Sequence, residues 1–310
     1  MKKQKKYHGV VIPMVTPFNE NGKLDIANLE RLLKLYMDAK SIPFILGTTG
    51  EGVSIPLTMR VEIIEHAVKI AGNRTQFYAG ISDTCPINSI ILAQEFYQLG
   101  VNVFVCHIPP YYPLLPDQII TFFQSLADKL PAPLMLYNIP ATTKVSIPLD
   151  VIEKLSEHKN IIGLKDSERS IERMETLAER YRNREDFAIF NGWTTKSSYA
   201  LLSGFDGIVP STANLIPQLF TELFDYAVAG DKEKAEHIQD IIDPIADFHQ
   251  QEIPFSHMIP ILKVMMDEFE LCGPTVLPPL TRLEARQEEQ IRKSMKELDF
   301  AGFEPWANAQ

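Results

Sequence analysis

The sequence is poor in cysteine and has no long hydrophobic run. Its three cysteines, Cys85, Cys106 and Cys272, are odd in number and form no Cys-x-x-Cys pair, so neither a disulfide framework nor a zinc site is indicated. No stretch approaches the ~20 apolar residues that a membrane-spanning helix needs. We therefore expect a cytoplasmic protein that does not have a membrane as its partner.

The sequence also lacks an excess of positive charge. Its formal net charge is -10, whereas binding to nucleic acid or to an anionic membrane requires a basic surface. The clustered bases are Lys2, Lys3, Lys5 and Lys6, but histidine and proline interrupt the residues that follow, so no signal peptide is indicated. We expect this basic segment to be a solvated tail.

Two common signatures of cofactor and metal sites are missing. No Gly-x-Gly-x-x-Gly sequence occurs, which counts against an open sheet that binds a dinucleotide. The histidines show no His-x-x-x-His spacing, which makes a metal-dependent aldolase the less favoured hypothesis. Histidines from distant strand ends can still meet in the folded protein, so spacing alone does not exclude a metal site.

The sequence does contain a regular alternation of short apolar strands and amphipathic helices. The first helix shows the pattern, because Asp25 is a candidate N-cap and apolar residues follow at the i, i+3, i+4 and i+7 positions of one face. Those residues are Leu29, Leu32, Leu33 and Tyr36. Eight such pairs fit between residues 9 and 227. Since strands that alternate with helices form parallel sheets, the pattern predicts an α/β fold, a closed (β/α)8 TIM barrel.

The pattern becomes wholly helical beyond Gly230. Apolar residues at helical spacing predict helices around residues 238–245, 259–269 and 284–298. No flexible linker separates them from the barrel. We expect a barrel over residues 1–230 that carries the active site, and a C-terminal helical extension over residues 231–310 that packs on it.

The strand that ends in Lys165 is the centre of the functional prediction. Residues 161–164 form a short apolar run, which is typical of a strand buried on both faces. Catalytic groups of such barrels lie at the carboxyl ends of the strands. Because burial of an ammonium group is costly, this position favours the neutral amine, which can form a Schiff base with a carbonyl substrate. The alternative is a lysine whose ammonium group extends from the strand end to solvent.

Three other strand ends carry polar or aromatic residues. Gly-Thr-Thr-Gly-Glu-Gly at residues 47–52 offers backbone N–H groups and hydroxyls to an anion such as a carboxylate. Tyr111 and Tyr112 follow the fourth strand, and Tyr137 ends the fifth, where it suits proton transfer. Each feature alone also fits a structural role, as a turn, an interface anchor or a core side chain. We expect them to converge with Lys165 in one active site.

Together these motifs resemble those of the dihydrodipicolinate synthase and N-acetylneuraminate lyase superfamily. The resemblance covers about residues 8–295 and rests on residues 47–52, Tyr111-Tyr112, Tyr137-Asn138-x-Pro140, Gly163-x-Lys165 and residues 207–211. It implies a class I aldolase that binds a 2-oxo acid such as pyruvate and an aldehyde, without a metal or an organic cofactor. It also implies a homotetramer, built as a dimer of dimers.

The resemblance implies a role for each matching residue. Lys165 would be the Schiff-base lysine and Tyr137 the proton-transfer tyrosine, linked through Thr48 to Tyr112, which the family shares across a tight dimer. Other residues would bind the substrate. The predicted substrate-binding residues are Gly47, Thr48, Thr49, Thr142, Lys144, Ser167, Gly192 and Val209.

The sequence departs from the synthase pattern at Thr142. Dihydrodipicolinate synthases have an arginine at this position that binds the carboxylate of the aldehyde. A threonine cannot supply the bidentate, charged contact of a guanidinium group. Lys144 replaces a glycine of the family and either reaches the same anionic group or points to water. This departure counts against dihydrodipicolinate synthase activity.

Polar residues near the lysine favour a hydroxylated substrate. Ser167 lies where N-acetylneuraminate lyases have a threonine that contacts sugar hydroxyls, and residues 166–169 and 191–195 are also polar. We therefore expect a carbon–carbon lyase that cleaves or forms a sialic acid or a 2-keto-3-deoxy sugar acid. The alternatives are a dihydrodipicolinate synthase or a sugar-acid dehydratase of the same superfamily. A protein that binds a 2-oxo acid without catalysis is less favoured.

Overall fold

Eight parallel strands form a closed barrel in this computed structural model, which describes residues 5–298 and 300. Each strand pairs with the next one along the chain, and the first pairs with the eighth to close the barrel. The strands are β1 Gly9–Pro13, β2 Ile42–Ile45, β3 Tyr78–Gly80, β4 Val103–His107, β5 Leu134–Asn138, β6 Ile161–Asp166, β7 Ala188–Asn191 and β8 Gly207–Ile208. The predicted (β/α)8 barrel is confirmed.

Helices follow the strands and then continue beyond the barrel. The barrel helices are α1 Ile26–Asp38, α2 Leu57–Ala71, α3 Pro86–Leu99, α4 Pro116–Ala127, α5 Pro140–Thr143, α6 Leu149–Leu155, α7 Ile171–Tyr181, α8 Ser197–Ser203 and α9 Pro217–Ala229. The C-terminal helices are α10 Lys232–Gln250, α11 Phe255–Glu268 and α12 Ala285–Met295. The predicted helical extension is confirmed. Its boundary at residue 230 stays a prediction, and residues 301–310 lie outside the described part.

Some short elements were not predicted from the sequence. They are helix α5 and the 3₁₀ turns Gly52–Ser54, Thr194–Lys196 and Ser211–Asn214. Each has three or four residues, which is too few to show a helical periodicity. All four elements follow the carboxyl end of a strand, so they form part of the rim on which a functional site is expected.

Helix α1 forms as its sequence predicts. The Asp25 carboxylate accepts a hydrogen bond from the Asn28 backbone N–H at 3.1 Å, which caps the first turn. The apolar face is buried, and Tyr36 at its end donates a hydrogen bond to Asn214 at 2.7 Å. Asn214 also accepts from the Val15 backbone N–H at 3.0 Å. Asn214 therefore ties α1 to the chain just after β1.

Two layers of apolar side chains form the core. One lies between the strands and the helices, and the other fills the barrel interior. Glycine makes room at two crowded points of the sheet. A Cβ atom at Gly207 would lie 2.3 Å from the ring of Phe190, and one at Gly163 would lie 2.3 Å from the Ala188 carbonyl oxygen. Within the described residues, no helix is both long and apolar enough to cross a membrane.

The prediction of a solvated basic tail is wrong for Lys5. Lys6 is exposed as expected, whereas Lys5 is buried. Lys2 and Lys3 lie outside the described residues. Lys5 and Lys6 are neighbours in the sequence but lie in different environments, which only the folded chain distinguishes.

Lys5 is buried because the base of the barrel offers it a complete set of acceptors. Its ammonium group donates to the backbone carbonyls of Tyr181 and Phe187, both at 2.8 Å, and to the Asp206 carboxylate at 2.7 Å. Asp206 also accepts a hydrogen bond from the Ile189 backbone N–H at 2.9 Å. Because both charges are paired and hydrogen-bonded, their burial is tolerated.

We expect the Lys5→Ala variant to lose about 3–5 kcal/mol of unfolding free energy, since it leaves the Asp206 carboxylate buried and uncompensated. The Lys6→Ala variant is the matched control, and its change should stay within about 0.5 kcal/mol. Urea denaturation followed by circular dichroism measures both. Equal stability of the two variants would contradict this account of Lys5.

Candidate active site

Lys165 lies near the carboxyl end of β6, and its side chain is buried. It is 4% exposed, and its ammonium nitrogen lies 4.0 Å from the ring centroid of Tyr137 and 5.1 Å from that of Phe44. A shift in register between Leu134 and Met135 lets β5 and β6 pair so that Tyr137 lies beside Lys165. The alternative of a lysine extended to solvent is therefore wrong.

Tyr137 and Thr48 form a polar pair beside the lysine. The Tyr137 hydroxyl lies 3.4 Å from the Thr48 hydroxyl, and either oxygen can be the donor. Tyr137 is itself 4% exposed. The residue pair thus places two exchangeable protons beside a buried amine, which is what acid and base steps on a bound carbonyl compound require.

The loop after β2 has an unusual backbone that the glycines of its sequence permit. Leu46 and Glu51 have positive φ angles of 60° and 56°, a region that non-glycine residues seldom adopt. A Cβ atom at Gly52 would lie 2.1 Å from the Leu46 carbonyl oxygen, so only glycine fits there. This tight turn holds Thr48 and Thr49 at the mouth of the barrel.

A buried ion pair connects this loop to helix α11. Glu51 and Lys263 have fully buried side chains, and the Lys263 ammonium lies 2.5 Å from the Glu51 carboxylate. The same ammonium donates to the backbone carbonyls of Thr16 at 2.8 Å and Thr275 at 2.7 Å. The second carboxylate oxygen of Glu51 accepts from the Leu277 N–H at 2.7 Å. Helix α11 and the segment after it thus anchor the loop that carries both threonines.

A second polar network lies directly after the lysine. Asp166 accepts hydrogen bonds from the Asn138 amide at 3.0 Å and from the Arg173 guanidinium at 2.8 Å. Asn138 also donates to Glu168 at 2.9 Å, and the Ser146 hydroxyl donates to the same carboxylate oxygen at 2.5 Å. Burial raises the pKa of Asp166, and the Arg173 guanidinium partly offsets this effect. The network fixes the backbone on both sides of the β6 terminus.

A cavity of about 500 Å³ opens above Lys165, a size that suits a small-molecule ligand. It brings together most of the predicted site residues. Those that line it are Thr48, Thr49, Tyr137, Lys165, Ser167, Gly192 and Val209. A Cβ atom at Gly192 would lie 2.1 Å from the Ser167 hydroxyl, so glycine keeps this part of the wall open. The roles of these residues toward a substrate stay predictions.

Two predicted substrate-binding residues line a different cavity. Gly47 and Thr142 border a second space of about 250 Å³, which shares Thr48 and Tyr137 with the first. The Thr142 hydroxyl donates to the Ile139 carbonyl at 3.3 Å. Thr142 therefore lies on the opposite side of the Thr48–Tyr137 pair from the main cavity.

The structure brings neither Lys144 nor Tyr112 to either cavity. Lys144 is exposed, and its ammonium group donates to the Ala141 carbonyl at 2.9 Å. Tyr112 is 69% exposed and packs edge-to-face on Tyr111, with ring centroids 4.9 Å apart. Two large aromatic side chains exposed together are typical of a surface that a partner covers. Tyr112 therefore does not contact Thr48 within one chain.

The C-terminal helices supply a wall of the main cavity that the sequence alone did not predict. This wall includes His249, Gln250, Phe255, Met258, Ile259 and Leu262. The Gln250 amide donates to the Thr212 hydroxyl at 3.0 Å and to the Ser211 hydroxyl at 3.1 Å. Apolar residues at helical spacing indicated α10 and α11, but such spacing does not say which barrel loops the helices cover.

Two histidines near the site are held in their neutral form. Burial lowers the pKa of His107, and the hydrogen bond with the Ile108 carbonyl partly offsets this effect. Burial lowers the pKa of His249 from 6.5 to about 3, and its ring lies 3.0 Å from the Thr212 hydroxyl. Among residues 5–298 and 300, no three His, Cys, Asp or Glu side chains are grouped as metal ligands would be.

Comparisons with known proteins point to one family. The model of the dihydrodipicolinate synthetase family matches residues 6–298. A 4-hydroxy-tetrahydrodipicolinate synthase from Alkalilimnicola ehrlichii is 29% identical over 291 residues, which are 94% of this chain and 98% of the relative. One from Laribacter hongkongensis is 28% identical over 289 residues, 93% of this chain and 97% of the relative.

Solved structures show the same similarity. A dihydrodipicolinate synthase from Bacteroides thetaiotaomicron has a TM-score of 0.87 and 28% identity, over 96% of this chain and 100% of that one. A prophage protein of the dihydrodipicolinic acid synthase family from E. coli K12, solved in complex with pyruvate, has a TM-score of 0.88 and 25% identity. That match covers 94% of this chain and 99% of the prophage protein.

The Lys263→Met variant should lose about 3–5 kcal/mol of unfolding free energy, because it leaves the Glu51 carboxylate buried without a countercharge. Lys232→Met in α10 is the control. Its ion pair with Glu236 is exposed, so its loss should stay below about 1 kcal/mol. The double variant Lys263→Met, Glu51→Gln should be more stable than Lys263→Met. Urea denaturation measures the unfolding free energy of all three variants. A double variant less stable than Lys263→Met would contradict the conclusion that the uncompensated charge of Glu51 causes the loss.

The neutral state of His249 predicts a dependence of stability on pH. Below pH 6.5 the unfolded chain binds a proton at this histidine, whereas the folded chain does not until about pH 3. Stability is therefore lost as the pH falls through this window, by about 1.4 kcal/mol for each pH unit. Between pH 7 and pH 5 the wild type should lose about 2 kcal/mol more than the His249→Gln variant.

The exposed His237 lies on the same helix, which makes His237→Gln the control for this measurement. Its loss of unfolding free energy between the two pH values should match that of the wild type. If His249→Gln also matches the wild type, the histidine is not held neutral in the folded protein.

Proposed function

The chain belongs to the dihydrodipicolinate synthetase family, and on that premise we propose that it is a class I aldolase whose Lys165 forms a Schiff base with pyruvate or another 2-oxo acid. The observation that carries the proposal is the buried amine of Lys165 beside the Tyr137–Thr48 pair, at the floor of a cavity of about 500 Å³.

The proposed reaction begins when the neutral Lys165 amine attacks the C2 carbonyl of the 2-oxo acid. The carbinolamine loses water and becomes an iminium ion, which withdraws electrons from C3. In the direction of synthesis, C3 loses a proton and the resulting enamine attacks an aldehyde. In the direction of cleavage, the C4 hydroxyl loses its proton and the bond between C3 and C4 breaks, which releases an aldehyde and leaves an enamine. The enamine gains a proton at C3, and hydrolysis of the Schiff base then releases pyruvate.

Tyr137 is the group placed to move protons in these steps. Its hydroxyl can protonate the departing hydroxyl of the carbinolamine and is connected to the Thr48 hydroxyl. The hydroxyls and N–H groups of Thr48 and Thr49 are placed to bind the C1 carboxylate. Because Tyr112 is exposed and lines neither cavity in one chain, its proposed role in the relay requires a second copy of the protein. The homotetramer and the cytoplasmic location stay predictions.

Two candidate reactions, a synthase and a sugar-acid lyase, differ in the second reactant. The relatives named above are 4-hydroxy-tetrahydrodipicolinate synthases, so the comparisons favour the synthase alternative over a sialic acid or a 2-keto-3-deoxy sugar acid. The synthase is thus our first candidate for the overall reaction, with the sugar-acid lyase second. Ser167 and the open wall at Gly192 are the features that favour a hydroxylated substrate.

Borohydride reduction in the presence of pyruvate tests the Schiff base. We expect mass spectrometry to find one pyruvate adduct, and peptide mapping to place it on Lys165. The Lys165→Ala variant should lose both the adduct and turnover, while Lys159→Ala, an exposed control close in sequence, should keep both. Tyr137→Phe should lower turnover by roughly 10²–10⁴-fold. A folded wild-type protein that forms no adduct would rule out the proposed chemistry.

A further inference from the structure

We propose that Arg169 binds a second anionic group of the substrate, at the end away from the Schiff base. This inference rests on the proposed function at Lys165 and narrows its substrate class. The substrate would be a 2-oxo acid, or an aldehyde joined to one, that carries a carboxylate or a phosphate at its far end. Arg169 would thus determine specificity, without taking part in bond formation.

Of the charged side chains that line the main cavity, one cation has neither a protein partner among the described residues nor a role in the proposed reaction. Four charged side chains border it, namely Lys165, Glu168, Arg169 and Glu252. Lys165 is the proposed nucleophile that attacks the C2 carbonyl carbon of the substrate. Glu168 already accepts hydrogen bonds from Asn138 and Ser146 and lies 3.4 Å from the Arg173 guanidinium. Arg169 is therefore the cation that remains for a ligand.

Arg169 is exposed, and in the described part of the chain its guanidinium has no partner, in contrast to Arg173, Arg180 and Arg184. Arg173 binds Asp166, Arg180 binds Glu153 and Arg184 binds Asp186. A guanidinium group that makes no contact of this kind keeps its five N–H donors available. Glu252, on the segment between α10 and α11, borders the same cavity and forms no ion pair with Arg169.

The backbone around Arg169 is held on both sides, so the side chain starts from a fixed position. The Ser167 N–H donates to the Asn138 carbonyl, and the Glu168 N–H donates to the Asp166 carboxylate, both at 2.9 Å. On the other side, the Ser170 N–H donates to the Glu168 carbonyl at 3.0 Å, and the Ser170 hydroxyl caps α7. A ligand contact at Arg169 would therefore need to order only the side chain, which favours binding.

Thr142 and Lys144, the two predicted substrate-binding residues that follow β5, do not line the main cavity. Thr142 borders the second cavity, and the Lys144 ammonium is bound to the Ala141 carbonyl. Arg169 can supply what neither provides, because its planar guanidinium matches a carboxylate or a phosphate with two parallel hydrogen bonds. The position follows Lys165 by four residues, so it lies on the same rim of the barrel as the Schiff base.

Pairs of 2-oxo acids that differ only at the far end can test Arg169 without any cleavage step. We would measure the concentration for half-maximal borohydride trapping of 2-oxoadipate, of 2-oxohexanoate, and of a 2-oxo acid of similar length that ends in a phosphate. In the Arg169→Ala variant, trapping of an anionic ligand should require about 10- to 100-fold more ligand. The values for 2-oxohexanoate and for pyruvate should not change. A larger shift for the carboxylate or for the phosphate identifies the preferred group.

Two further variants separate this role from a general effect of charge or folding. Arg182→Ala removes an exposed arginine at the end of α7, outside the cavity, and should leave every value unchanged. Arg169→Lys keeps the charge but not the paired donors, so it should lose part of the affinity for anionic ligands. An Arg169→Ala variant that weakens neutral and anionic ligands equally, or neither, overturns the proposal.

The test also distinguishes this inference from the Schiff-base proposal. If no 2-oxo acid is trapped at Lys165, the proposed function fails. Isothermal titration of the unreduced protein with 2-oxoadipate and 2-oxohexanoate then gives the same comparison without a covalent step. A preference for the dianion that disappears in Arg169→Ala supports the anion site even in that case, and the absence of such a preference refutes it.

Discussion

The buried ion pair between Glu51 and Lys263 is the interaction on which the arrangement of the site depends. It joins the loop after β2 to helix α11, across more than two hundred residues of sequence. Breaking a buried pair leaves an uncompensated charge, so the two segments cannot separate without a large cost. The pair also stabilises the left-handed conformation of Glu51 and thereby the positions of Thr48 and Thr49. The barrel and the C-terminal helices consequently act together at the site, even though the chemistry is assigned to the barrel.

The site also depends on the parallel pairing of β5 and β6. Side chains alternate between the two faces of a strand, so a change of one residue in register would point either Tyr137 or Lys165 away from the barrel interior. The observed register pairs them side by side. The network of Asn138, Asp166 and Arg173 links the ends of the same two strands and orders the loop that carries Arg169. One set of contacts therefore positions both the proposed nucleophile and the proposed anion site.

Much of the site could be predicted because its residues lie next to strand ends that the apolar pattern marks. Lys165, Tyr137 and Thr48 were identified in this way, and the structure places them together. Lys144 and Thr142 were chosen by their distance from a motif in the sequence, but the short helix α5 directs them away from the main cavity. The contribution of His249 and Gln250 depends on how α10 crosses the barrel, which no local pattern encodes.

The alternation of strands and helices, the closed barrel and the strand that bears the lysine could all be predicted from the sequence. These features depend on local periodicity and on the hydrophobicity of each segment, which can be read along the chain. The tertiary contacts show that Lys5 is buried whereas Lys6 is exposed, that Glu51 pairs with Lys263, and that Arg169 has no side-chain partner among residues 5–298 and 300. Such outcomes depend on which distant groups surround a side chain, and only the folded chain brings those groups together.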